Sequence, residues 1–113
     1  MILLPDLRTA PGMNVREHYM VRAKRVKAEK ERAAWELARW AAKPPIPCVV
    51  VLTRFAPSNG LDDDNLAGSL KGVRDAVADW LGVNDRDRSR VRYLYEQQRA
   101  GWGVGIEFKG WPA

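Results

Sequence analysis

The sequence predicts a mixed α+β fold in which a long N-terminal helix, a strand, a second helix and a two-stranded hairpin form a small mixed sheet packed with helices. Three observations predict it. From Val15 to about Ala42 no proline or glycine interrupts a run dominated by Ala, Lys, Arg and Glu, the composition a long helix requires. Cys48 to Phe55 is a valine-rich run set between Pro47 and Pro57, which reads as a strand. Arg90 to Gln98 alternates Val91, Tyr93 and Tyr95 against Arg92, Leu94 and Glu96, with Leu94 the one exception. Ala100-Gly101-Trp102-Gly103 then reads as a hairpin turn into a last strand, Val104 to Lys109.

The global numbers bound the function. At 113 residues the chain reads as one domain, 1–113, with room for a modest core. A formal charge of +5 and a pI near 9.7 point to a polyanionic partner, most often nucleic acid. The single cysteine, Cys48, rules out an intrachain disulfide and a zinc site built on cysteines, and fits a reducing compartment. Met1-Ile2-Leu3-Leu4 is cut short by Pro5 and Asp6, below the length of a signal-peptide core, and no later run reaches membrane-spanning length. A cytoplasmic protein with no membrane partner is expected.

In chain order, residues 1–13 form an irregular lead with room for a short edge strand at Ile2 to Leu4. Asn14 is placed to cap the long helix, with Glu17 completing a capping-box pattern. On that helix Tyr19, Ala23, Val26, Ala33, Leu37, Trp40 and Ala41 form a broken apolar stripe. Arg25, Glu29, Arg32, Glu36 and Arg39 alternate in sign, as on a solvated, salt-bridged face. Arg22, Lys24, Arg25 and Lys27 hold no acidic residue among them, so they are the candidates for phosphate contact, which positions nucleic acid without reading its sequence. His18 has no second histidine or cysteine nearby and reads as an ordinary surface or packed residue. Lys43-Pro44-Pro45-Ile46-Pro47 ends the helix. After the first strand, Ala56-Pro57-Ser58-Asn59-Gly60 is a loop by composition.

That loop delivers the chain to Asp62-Asp63-Asp64-Asn65-Leu66, three adjacent carboxylates at the start of a predicted helix running to Leu81. A helix cap accounts for them in the simplest way, because carboxylates favour the positive end of the helix dipole. The face behind them suggests more. At about 100° per residue, Asp64, Gly68, Lys71 and Asp75 fall on one stripe, while Leu66, Leu70, Val73, Val77, Trp80 and Leu81 make the apolar side. Lys71 and Asp75 also suit a simple i,i+4 ion pair. Gly68 and Gly72 each weaken a helix by up to about 1 kcal/mol, and close approach of a ligand is one reason to carry them. Counting from Asp62 places Ala67 and Val73 where a calcium loop needs glycine and glutamate, so an EF-hand is excluded. Beyond Gly82, a predicted helix C-cap, lies a second acidic turn, Asn84-Asp85-Arg86-Asp87.

The run Leu61 to Leu66, followed by Lys71, Asp75-Ala76, Trp80-Leu81 and Asn84-Asp85, resembles the RusA family of Holliday-junction endonucleases, its phage-borne relatives in particular, over residues 44–109. Asp62 and Asp64 match the paired aspartates of that family, Lys71 its catalytic lysine and Asp85 its third aspartate. Lys71 stands about one helical turn further along than in the family, and Asn84 replaces an aspartate common there. The resemblance implies a homodimer that cleaves branched DNA, four-way junctions among them, with Mg2+ or alternatively Mn2+. It gives Asp62, Asp64 and Asp85 to the metal, Lys71 to the charge of the transition state and Asn65 to orienting a ligand. A straight helix from Asp64 to Leu81 would be about 25 Å long, which sets Asp62 and Asp85 at opposite ends. Either the helix breaks near Gly68 or Gly72, or two copies about a twofold axis share each site. A branched-DNA-binding protein without chemistry, and a protein whose basic helix meets an acidic partner, are the competing readings.

Overall fold

The computed structural model describes residues 1–9, 19–40, 42–58 and 60–111. The expected cap at Asn14 and Glu17, His18, Ala41 and the loop residue Asn59 lie outside the described residues. Seven elements follow in order: β1 Ile2–Pro5, α1 Tyr19–Trp40, β2 Cys48–Ala56, α2 Asp63–Ser69, α3 Lys71–Leu81, β3 Val91–Arg99 and β4 Gly103–Gly110. The predicted fold class is what is seen, a mixed four-stranded sheet packed with helices.

β2 is central because it has to be. Every residue in it except Phe55 is buried, and the backbone N–H and C=O groups of a strand shut from water need partners on both edges. β3 lies parallel to it, Cys48 opposite Val91 and Leu52 opposite Tyr95. β4 lies antiparallel on its other side, Leu52 opposite Ile106, and β1 pairs antiparallel with the far edge of β4, Leu4 opposite Val104. The order is therefore β1-β4-β2-β3.

This order corrects the predicted hairpin. β3 and β4 follow one another across Ala100 to Trp102, yet they are not paired, because β2 lies between them. The physical reason is burial. β3 exposes Arg92, Leu94, Glu96, Gln97, Gln98 and Arg99 and so belongs at an edge, whereas β2, buried at every residue but Phe55, claims the interior. The turn crosses the end of β2 instead, with the Ala100 amide donating to the Ala56 carbonyl at 3.1 Å.

Alternate residues of each strand point to the helices. Leu4, Cys48, Val50, Leu52, Val91, Val104 and Ile106 meet Ala33 and Leu37 of α1, Leu66 of α2, and Val73, Ala76, Val77 and Leu81 of α3 in one core. The apolar stripe of α1 is correct only in its second half: Ala33 and Leu37 are fully buried, but Tyr19 is 75% exposed. α3 begins opposite Val26, and the turn of α1 before it borders α2 across an open cleft. The solvated-face reading fails at Glu29, which is 3% exposed where α1 crosses α3.

The predicted single helix from Asp64 to Leu81 is two helices. The break falls at Leu70, between Gly68 and Gly72, with φ −104° and ψ 9°. Ser69 contributes to it: its hydroxyl donates to the Leu66 carbonyl at 2.7 Å, a back-bond that bends helices. Leu70, fully buried, turns its amide to Ala67 and Gly68. Gly82 ends α3 as expected, left-handed at φ 72°.

Candidate functional site

The acidic stretch is positioned from both sides. On one side, the Gln97 side chain of β3 clamps the incoming loop, accepting from the Leu61 amide at 2.8 Å and donating to the Leu61 carbonyl at 2.7 Å. On the other, Asp62 caps α2: one carboxylate oxygen accepts from the Asn65 amide at 2.9 Å and the other from the Asn65 Nδ2 at 3.1 Å. Asn65 is buried. The capping reading of Asp62 is therefore real, and Asn65 holds both oxygens of the capping carboxylate. Asp63 and Asp64 occupy the exposed first turn.

Asp64 faces the junction of three helices. Together with Ala67, Gly68, Lys71 and Arg74, and with Arg22 and Val26 of α1, it lines a cleft of about 770 Å³. Of the predicted stripe, Asp64, Gly68 and Lys71 thus form one wall, while Asp75 is not in the lining, and a predicted phosphate-binding residue, Arg22, stands on the other. Lys71 Nζ lies 2.8 Å from Asp75 Oδ2, the simple i,i+4 pair, with the lysine side chain about half exposed. Lys24 and Lys27 are exposed, and Arg22 and Arg25 half-buried, on α1.

Asp85 sits beyond α3 on a loop built by its own side chains. Asn84 Oδ1 accepts from the Arg86 amide at 2.9 Å. Asp87 accepts from the Ser89 hydroxyl at 2.6 Å and from the Arg90 Nε at 2.7 Å. The Ser89 hydroxyl, with Arg90, holds the Asp87 carboxyl down at about 2. Asp87 is a loop-forming residue in this arrangement. Asp85 itself faces Arg74, at 3.4 Å.

Arg74 is the residue that sequence reasoning missed. Its guanidinium reaches Asp85, Asp75 at 3.8 Å and the Tyr95 hydroxyl at 3.4 Å. Burial works against its charge, but Tyr95, Asp75 and Asp85 outweigh burial and raise its pKa. It lines the cleft of Asp64 and also a second cleft of about 530 Å³ that holds Asp85. The available signal was Tyr93 and Tyr95 on alternate positions of a strand parallel to β2, which brings them under α3.

Mg2+ takes oxygen ligands, commonly one or two carboxylates with water making up the rest. Among the described residues no three His, Cys, Asp or Glu side chains are gathered closely enough to hold an ion. Both Asp62 oxygens are engaged by Asn65 and Asp85 faces Arg74. In this arrangement one chain does not present the set Asp62, Asp64 and Asp85 to a single ion. The helix break at Leu70 does occur, but it does not by itself assemble them.

Cys48 and Trp102 both have structural surroundings. Cys48 is 1% exposed in the core, and burial pushes its thiol up, so it is packed rather than nucleophilic. The Trp102 ring lies under two guanidinium groups, Arg8 at 5.0 Å and Arg54 at 5.6 Å. No described helix is long and apolar enough to cross a membrane. Comparison with protein-family models, with curated proteins and with solved structures gives no match for this chain.

Proposed function

We propose that this protein is a magnesium-dependent, structure-selective endonuclease of branched DNA, four-way junctions included, that acts as a homodimer. The observation that carries the reading is the cleft in which Asp64 and Lys71 of the acidic helices face Arg22 of the basic helix across a wall that Gly68 leaves without a side chain. An acidic group and a lysine on the wall of one cleft suit phosphodiester hydrolysis, and a flanking basic helix suits the strand that carries the phosphate. Arg22, Lys24, Arg25 and Lys27 hold the backbone electrostatically. Lys71, released from Asp75, meets the negative charge that builds on the phosphate. Asp62, Asp64 and Asp85 are the proposed ligands of Mg2+, for which Mn2+ is a substitute. The separation of Asp85 from the other two supports a site shared across a twofold axis, Asp62 and Asp64 from one copy and Asp85 from the other.

A labelled four-way junction incubated with and without Mg2+ tests the reading, using the native protein and Asp64→Asn. Nicks that need the metal and vanish in the variant, while binding persists, are expected. Equal binding with no cleavage under any condition would leave the second reading: a branched-DNA-binding protein whose Asp62 only caps a helix, the role its two bonds to Asn65 already perform.

A further inference from the structure

We propose that the cleft between Arg74 and β3 is a second phosphate-binding subsite, taking a backbone phosphate of the nucleic acid on the far side of Arg74 from Asp64. The assignment rests on the nucleic-acid reading above and adds a site to it. The cleft, about 530 Å³, is lined by Arg74, Asp85, Arg88, Arg92, Tyr93 and Tyr95 among others. Three guanidinium groups there face one carboxylate, so the cleft keeps an excess of positive charge whether or not Arg74 stays at 3.4 Å from Asp85.

Hydrogen-bonding capacity points the same way. Among the described residues the Arg74 Nε and the Tyr93 hydroxyl are shut from water and have no hydrogen-bond partner, although buried polar groups are almost always satisfied. Both can donate, and both belong to residues lining this one cleft. The contacts that Arg74 does make, at 3.4 to 3.8 Å, are all longer than an ordinary hydrogen bond. A group held so loosely turns readily to a better acceptor. A phosphate, with several charged oxygens, matches the fork of an arginine and leaves an oxygen for a phenol. It reaches both groups as the Arg74 side chain swings away from Asp85. Arg74 borders this cleft and that of Asp64, so one strand can run past it and be held on both sides.

The test measures binding of a fluorescent four-way junction in EDTA across a salt series, for the native protein, Arg88→Ala and Tyr93→Phe. Arg88 is exposed and its removal is expected to leave thermal stability unchanged, whereas Arg92 stacks on Trp111 at 4.6 Å and would mix two effects. Arg88→Ala is expected to weaken binding about three- to tenfold and to reduce the salt slope by about one, irrespective of the sequence of the arms. Tyr93→Phe is expected to weaken binding about threefold with an unchanged slope, because it removes a neutral hydrogen bond. A native protein that binds the junction while both variants match it overturns the subsite alone. A native protein that binds no junction overturns the nucleic-acid reading, and inorganic phosphate then decides the cleft: saturable NMR shifts of the Arg74 Nε and Tyr93 signals, lost in Arg88→Ala, support an anion site, and unmoved signals reject it.

Discussion

Replacing Gly72 with alanine probes the contact that holds the basic helix against the acidic ones. An added Cβ at Gly72 would stand 2.6 Å from the Val26 carbonyl oxygen, 3.0 Å from the Glu29 Cβ and 3.2 Å from the Glu29 Oε2. The nearest of these is backbone inside α1, so relief requires α1 itself to move. Two effects compete. Alanine is a better helix former than glycine by about 1 kcal/mol, while forcing a methyl into a filled contact costs about 1–3 kcal/mol. Moving α1 also disturbs Glu29, buried at 3% exposure, so the steric cost should fall in the upper part of its range. A net loss of about 1–2 kcal/mol is expected, a fall in Tm of about 4–8 °C for a domain of this size. Thermal unfolding followed by circular dichroism reads it, with Gly101→Ala as control because nothing lies within 4 Å of a Cβ there. The reasoning is refuted if Gly72→Ala raises Tm while the control is unchanged, since Gly72 would then carry only its helix-weakening cost.

Three further outcomes are expected. Mixing inactive Asp64→Asn with inactive Asp85→Asn should restore about a quarter of the native cleavage, because in half the dimers one of two shared sites is whole; a mixture as dead as its parts places each site within one chain. Asp87→Asn should lose stability at neutral pH, and the gap from the native protein should close as acidity rises. The folded carboxyl is depressed from 3.8 to about 2, so its contribution is complete above 3.8 and disappears as pH falls through about 2; urea titrations at several pH values check this, and a gap independent of pH contradicts it. Cys48 should resist a thiol reagent in the folded protein and react on unfolding, because it is buried and its thiol is pushed up; prompt labelling of native protein would show that β2 is not where it is described.

Much of the fold was legible because single segments carried their own signal. A proline- and glycine-free run made α1, a valine run made β2, and Gly82 stopped α3 in the left-handed conformation that only glycine adopts cheaply. What was hidden depended on pairs of segments. The hairpin expectation was local, judged from Ala100 to Gly103, whereas strand order was decided by the need of β2 for cover on both edges. Gly72 reads from sequence as a gap for a ligand, yet the gap is filled by the Val26 carbonyl. Glu29 was placed in solvent because its neighbours along the helix are charged, and no local rule announces that α3 lies over it. At the candidate site, the shared stripe of Asp64, Gly68 and Lys71 was legible from helical spacing and the cap at Asp62 from composition, whereas Asn65 entered only through the resemblance. Arg74 and Gln97 were not legible, because Arg74 meets Tyr95 of β3 and Asp85 beyond a turn, and Gln97 meets Leu61 in the loop before α2.

The strand order also bears on how the chain reaches this state. Among the described residues β1 is paired only with β4, about a hundred positions later in the chain, and β4 in turn covers one of the two edges of β2. Contacts this distant in sequence slow folding. On the ribosome, the helices and the β2–β3 pair are made first, with one flank of the valine strand bare until residues 103–110 emerge. That interval is when the bare flank of β2 is most open to pairing with a second copy.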